Sequence, residues 1–186
     1  MRTCCFALGP LIFSLLALAV TAGLSQEESP FQPGMVIRNF GEVAEVEADV
    51  TIPQGTQFKI RFDVNAQANP GKLNRTIDLA ARFINMHVAA GVPKEAIHLA
   101  LVIHGGAVLD VTTQEHFARV YPERQNPSAA AVKQLQDCNV QFIVCGQSIA
   151  WQSISKNELL PGVQIALSAM TAHELLAQQG FTLNPF

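Results

Sequence analysis

Two short segments carry residue types capable of nucleophilic chemistry. In Val144-Cys145-Gly146-Gln147-Ser148 a thiol stands where an apolar run gives way to glycine. In Ile103-His104-Gly105-Gly106 an imidazole stands at the end of a second apolar run. A thiolate is the nucleophilic form of cysteine, and nearby positive charge or convergent N–H groups lower its pKa. Here His104 would supply charge or accept the proton, and the backbone N–H groups of Gly146 and Gln147 would point at the sulfur. Gly105, Gly106 and Gly146 would let backbone approach a ligand closely. Such a sulfur can attack a disulfide or accept a sulfane sulfur. The competing reading is a structural one, because free cysteine is among the most buried residue types.

Other chemistries find less support. His87, His98, His116 and His173 have no metal-ligand spacing with cysteine or acids, and two cysteines seven positions apart do not form a zinc motif. Gly105-Gly106 lacks the G-x-G-x-x-G spacing of a phosphate loop, and Gly146-Gln147-Ser148 is not a G-x-S-x-G elbow. Neither a metal nor a cofactor is expected. A thiol oxidoreductase of the usual kind would carry C-x-x-C, which is missing here. The net charge is −3, without a Lys/Arg block, so nothing favours nucleic acid as a partner. Trp151 reads as a packing or subunit-contact residue.

The elements that must hold these groups are legible as periodicities. Hydrophobic residues make up 49% of the 186-residue chain and charged residues only 15%, which suits one domain with a sizeable core. Phe58, Ile60, Phe62 and Val64 alternate with polar residues, the pattern of a half-covered strand. Leu73, Ile77, Ala80, Ile84 and Val88 recur at helical spacing, and Gly91 and Pro93 close that helix. Ile97 to Ile103 is nearly continuous in apolar character, as in a parallel strand buried on both faces. A helix is expected over 113–121, and another opening at Asn126-Pro127. Val140 to Val144 and Val163 to Leu167 are further strands. Thr171 and Glu174 have capping-box spacing, Gly180 ends the helix behind them, and Phe181-Thr182-Leu183 is a short last strand. Alternating strands and helices with short connections imply an α/β three-layer sandwich on a mainly parallel sheet.

The first 25 residues read as a secretory signal, with an apolar stretch from Phe6 to Val20 and small residues for cleavage after Ala22 or Ser25. The alternative is an uncleaved anchor. Cleavage would leave no membrane span and would make the protein periplasmic or secreted. It would remove Cys4 and Cys5 and leave Cys138 and Cys145. The strand between these two would hold them roughly 20 Å apart, beyond disulfide reach. Residues 26–56 read as a leader or arm, and 57–186 as the α/β domain.

From Phe58 to Phe186 the chain resembles the DsrE/DsrF-like family. The segments that carry the resemblance are Phe62-Asp63-Val64, Val102 to Ala107, Val144 to Ser148, Ile154-Ser155-Lys156, Leu159 to Val163 and Gln178 to Phe181. The resemblance implies a flavodoxin-like sandwich that associates into trimers or hexamers. It also implies that Cys145 binds sulfane sulfur or relays it between a donor and an acceptor protein. Cys145 matches the cysteine of the exported branch, and its context differs from that of the relay cysteine in cytoplasmic transfer complexes. The other function left open is a non-catalytic oligomeric module that binds a small ligand or a protein segment, with Cys145 structural.

Overall fold

The computed structural model describes Met1 and residues 29–185; the signal segment read above, with Cys4 and Cys5, lies outside the described residues. Five parallel strands form the main sheet: β3 (Phe58–Val64), β4 (Ile97–Ile103), β5 (Gln141–Cys145), β6 (Gln164–Ala166) and β7 (Thr182–Asn184). Residues Phe31–Gln32 (β1) and Val43–Ala44 (β2) pair with each other in a separate antiparallel ribbon. The helices are α1 (Arg75–Ala89), α2 (Gln114–Val120), α3 (Ser128–Gln136), α4 (Gly146–Trp151) and α5 (Ala169–Gln178). Strand order across the sheet is β6-β5-β4-β3-β7. The chain therefore steps from β3 to one edge, and α5 carries it back to the other.

Strand β4 occupies the middle and is buried on both faces. Its odd-numbered residues Leu99, Leu101 and Ile103 join Phe62, Val64, Phe142 and Val144 in the larger core under α1 and α3. Its even-numbered residues Ala100 and Val102 face the other way, against Ala172, Leu176 and Phe181. The small side chains on that second face let α5 lie close to the sheet. Each fully buried leucine or isoleucine in the larger cluster contributes roughly 2 kcal/mol of transfer free energy.

Asn126 caps α3 as expected: its Oδ1 accepts from Ser128 N–H at 3.1 Å, and its Nδ2 also donates to the carbonyls of Asp110 and Thr112. The expected Thr171–Glu174 capping box is not formed. Ser168, directly after β6, caps α5 instead by accepting from Thr171 N–H at 3.1 Å. Opening the helix there places Thr171 inside its first turn. A true capping box occurs at Ser155 and Glu158, ahead of β6. Hydrogen bonds from Ser155 and then His116 pull the Glu158 carboxyl down to about 2.

Within residues 29–56, the stretch 36–41 is tied to α1 by the buried Asn85 amide, and Asp78 of the same helix accepts from Gly41 N–H at 2.7 Å. Asn85, fully buried, accepts from the N–H groups of Val36 and Ile37 and donates to the carbonyls of Ile37 and Gly41. Ile37 thereby enters the larger core. Asn85→Ala should lower stability by about 3 kcal/mol, since these buried backbone groups would lose their partners. Urea unfolding together with limited proteolysis between residues 29 and 56 would check it.

A second buried polar node underlies the turn after β4. Asp110 Oδ2 accepts from Asn74 Nδ2 at 2.7 Å and from Ala68 N–H at 2.9 Å. Burial outweighs these hydrogen bonds and raises its pKa. A carboxyl with a raised folded pKa stabilises the protein below its unfolded pKa, and that contribution is lost as pH rises through the folded value. Asp110→Asn should therefore be at least as stable as wild type at neutral pH, with a flatter stability profile above the ordinary carboxylate range. Thermal melts across acidic and neutral pH measure this.

Candidate functional site

Sheet register places the chemistry. In β3, Phe62 and Val64 belong to the larger core, so Asp63 points to the α5 face. In β4, Ala100 and Val102 take that face, and alternation continues to His104, which remains extended and hydrogen-bonded through its N–H to Val64 O. In β5, Ile143 packs on the α5 side and Cys145 follows two residues later. The β4–β5 pairing matches Ile103 with Val144, so one further step sets His104 beside Cys145 on adjacent strands about 4.8 Å apart. Asp63, His104 and Cys145 thus stand in a row along the carboxyl ends of β3, β4 and β5.

Cys145 is a free thiol, 6% exposed. Burial alone would raise its pKa, but hydrogen bonds from the Ser148 hydroxyl and from the N–H groups of Ser148, Ala169 and Gln147 outweigh it and lower the pKa. The donors are therefore those expected only in part. Gln147 contributes its N–H, whereas the partner expected at Gly146 is supplied by Ser148 and by Ala169 of α5. Gly146 has a different task. A Cβ there would lie 2.7 Å from the Ala166 carbonyl, so only glycine lets the chain turn so close to β6. Cys138, the other described cysteine, is half-buried and also free. Its pKa is raised, chiefly by burial.

Ser148 connects the two sequence segments. Its Oγ accepts from Gly105 N–H at 3.0 Å, which leaves the hydroxyl proton for the sulfur. Gln152 Nε2 donates to Gly105 O at 2.7 Å and holds the same turn. Gly105 adopts φ +55°, a conformation that favours glycine. Gly105, Gly106, Gln147, Ser148, Trp151 and Gln152 line an open crevice of about 590 Å³, with the sulfur one hydrogen bond behind Ser148. Trp151 is 89% exposed, so it is not a core packing residue among the described residues.

His104 meets a partner the sequence did not announce. Its Nε2 lies 3.0 Å from Asp63 Oδ1, and the same oxygen lies 2.8 Å from Nε2 of His173. His173 comes from α5, 110 positions along the chain from Asp63, so no local spacing could have revealed it. Asp63 and His173 also line a cavity of about 710 Å³ that includes Asn65, Arg75 and Thr76.

The sequence profile of the DsrE/DsrF-like family matches residues 59–185. The chain belongs to this family. Among solved structures, it resembles a protein of unknown function, MTH1491, from Methanobacterium thermoautotrophicum, with 15% identity and a TM-score of 0.51 over 69% of this chain and 98% of that one. It also resembles the YchN protein of E. coli, with 18% identity and a TM-score of 0.46 over 68% of this chain and 97% of that one. At such identity the MTH1491 likeness speaks for the DsrE-like fold alone. No curated protein matches the chain.

Ser148→Ala removes one of the sulfur's hydrogen-bond donors and should raise the Cys145 pKa. The midpoint of the alkylation rate against pH, measured with iodoacetamide in a background with Cys4, Cys5 and Cys138 replaced by Ser, should move to higher pH than in the parent and back towards the ordinary thiol value.

Proposed function

We propose that this DsrE-like protein is exported and that Cys145 binds or relays sulfane sulfur. The observation that carries the reading is the ring of four hydrogen bonds from Ser148, Ala169 and Gln147, which favours the thiolate at Cys145 while burial raises the pKa of Cys138. Residues 145–155 and 159–172 contain no Asp, Glu, Lys, Arg or His, so neutral dipoles supply this stabilisation. A thiolate held this way attacks the terminal sulfur of a persulfide, RS–SH. The donor S–S bond breaks as the Cys145–sulfur bond forms, RS⁻ leaves and takes up the proton, and no net oxidation occurs. The same exchange run outward delivers the sulfur to an acceptor thiol.

The crevice beside Ser148, with Gly105, Gly106 and Gln147 in its wall, is the place for the donor or acceptor group. Ile165, Leu167, Met170 and Trp151 are exposed apolar side chains on β6, α4 and the start of α5. They support assembly into a homo-oligomer on this side of the sheet, as the family resemblance implies. The slight exposure of Cys145 favours the other reading, a binding module with a structural cysteine.

Polysulfide treatment followed by intact-mass measurement separates the two. With Cys4 and Cys5 replaced by Ser throughout, the parent and its Cys138→Ser variant should each gain sulfur, and Cys145→Ser should gain none. Equal sulfur uptake by Cys145→Ser, or an inert thiol in the folded wild type, would leave only the binding module.

A further inference from the structure

We infer that Asp63 is a positioning residue that fixes His104 as the proton acceptor for Cys145, with His173 anchoring the carboxylate from α5. The inference rests on Cys145 being the reacting thiol, as in the sulfur-carrier reading. It adds two residues, Asp63 and His173, to the reactive centre.

Asp63 Oδ1 accepts from Nε2 of His104 at 3.0 Å. A carboxylate on one ring nitrogen holds the proton there and leaves the other nitrogen as the base. In His104 that base would be Nδ1, and strand register sets the His104 backbone opposite that of Cys145 with both side chains on the α5 face. Its side chain retains 29% exposure, enough for exchange with solvent. The row is thus carboxylate, imidazole and thiol on three adjacent strands, the logic of an oriented base beside a nucleophile.

His173 donates to the same oxygen at 2.8 Å. Its Nδ1 is buried and has no hydrogen-bond partner among the described residues. A proton on that nitrogen would lack an acceptor, which favours the tautomer whose N–H is on Nε2, facing Asp63. It therefore acts as a strut, tying α5 to Asp63. The ionisable groups around His104 are Asp63 from β3, which its ring contacts, His173 from α5 on the same carboxylate oxygen, Cys145 opposite it in strand register, and Arg75 in the cavity beyond Asp63.

In the reaction, the Cys145 S–H bond breaks and His104 Nδ1 takes the proton, giving an imidazolium paired with Asp63. The thiolate attacks the donor, and the departing thiolate receives that proton. Protons and electrons balance without any oxidant.

The test uses the full chain with Cys4, Cys5 and Cys138 replaced by Ser, as the parent, and a disulfide reagent, 4,4′-dithiodipyridine, which reads thiol reactivity independently of sulfur uptake. Nitrogen-15 NMR of His104 should show the Nε2–H form in the parent and a mixture of tautomers in Asp63→Asn. The parent's rate–pH profile should contain a histidine step that Asp63→Asn and His104→Gln both abolish, with about a tenfold loss at neutral pH. Their double variant should lose no more than either alone, and Asp63→Glu should recover the step. His173→Gln, which keeps a donor, should retain it. An unchanged tautomer in Asp63→Asn, or a His104→Gln profile that matches the parent, overturns the inference. Failure of sulfur uptake alongside an intact histidine step would sink the sulfur-carrier reading and leave the triad.

Discussion

The candidate site depends on the in-register parallel pairing of β3, β4 and β5. Parallel strands present their carboxyl ends on one edge, and alternation decides which face each terminal residue takes. Asp63 pairs with Val102, and Ile103 with Val144. A slip of one residue in either pair would send one of the three functional side chains into the larger core and the others away from it. Burial of β4 on both faces protects against such slippage, since every shift exchanges bulky Leu99, Leu101 and Ile103 with small Ala100 and Val102.

Helix α5 converts that row into an environment. Its start, capped by Ser168, supplies the Ala169 N–H to the sulfur, and its second turn brings His173 onto Asp63. The connection from β6 to β7 must cross the sheet because β7 pairs with β3 at the far edge. One crossover thus provides a hydrogen-bond donor to one end of the row and a second imidazole to the other. The thiol is tuned by neutral amides and a hydroxyl, while Asp63 and its two imidazoles pair among themselves along β3, β4 and α5.

Polar contacts in the interior serve the same placement. Asn74, Asp110 and Asn126 join the loop after β3, the turn after β4 and the start of α3 through buried hydrogen bonds. Gly105 and Gly106 lie in the turn this network supports, and Gly105 in turn orients Ser148. The path from core polar network to sulfur therefore passes through backbone groups, which are less free to adjust than long side chains.

Periodicity alone determined the two longest strands of the sheet, at 58–64 and 97–103, and the position of α1 to within a few residues, because alternation and helical spacing are local properties. The thiol and the histidine at strand ends were legible for the same reason. Which donors reach the sulfur was not, because Ala169 arrives from across the sheet and Ser148 is turned inward by the Gly105 amide. Nor did spacing point to Thr171 losing the cap to Ser168, where two adequate capping residues compete. The pairing of Asp63 with His104 and His173 belongs wholly to the tertiary structure: strand order and register bring together residues 41 and 110 positions apart, and no local pattern encodes that meeting.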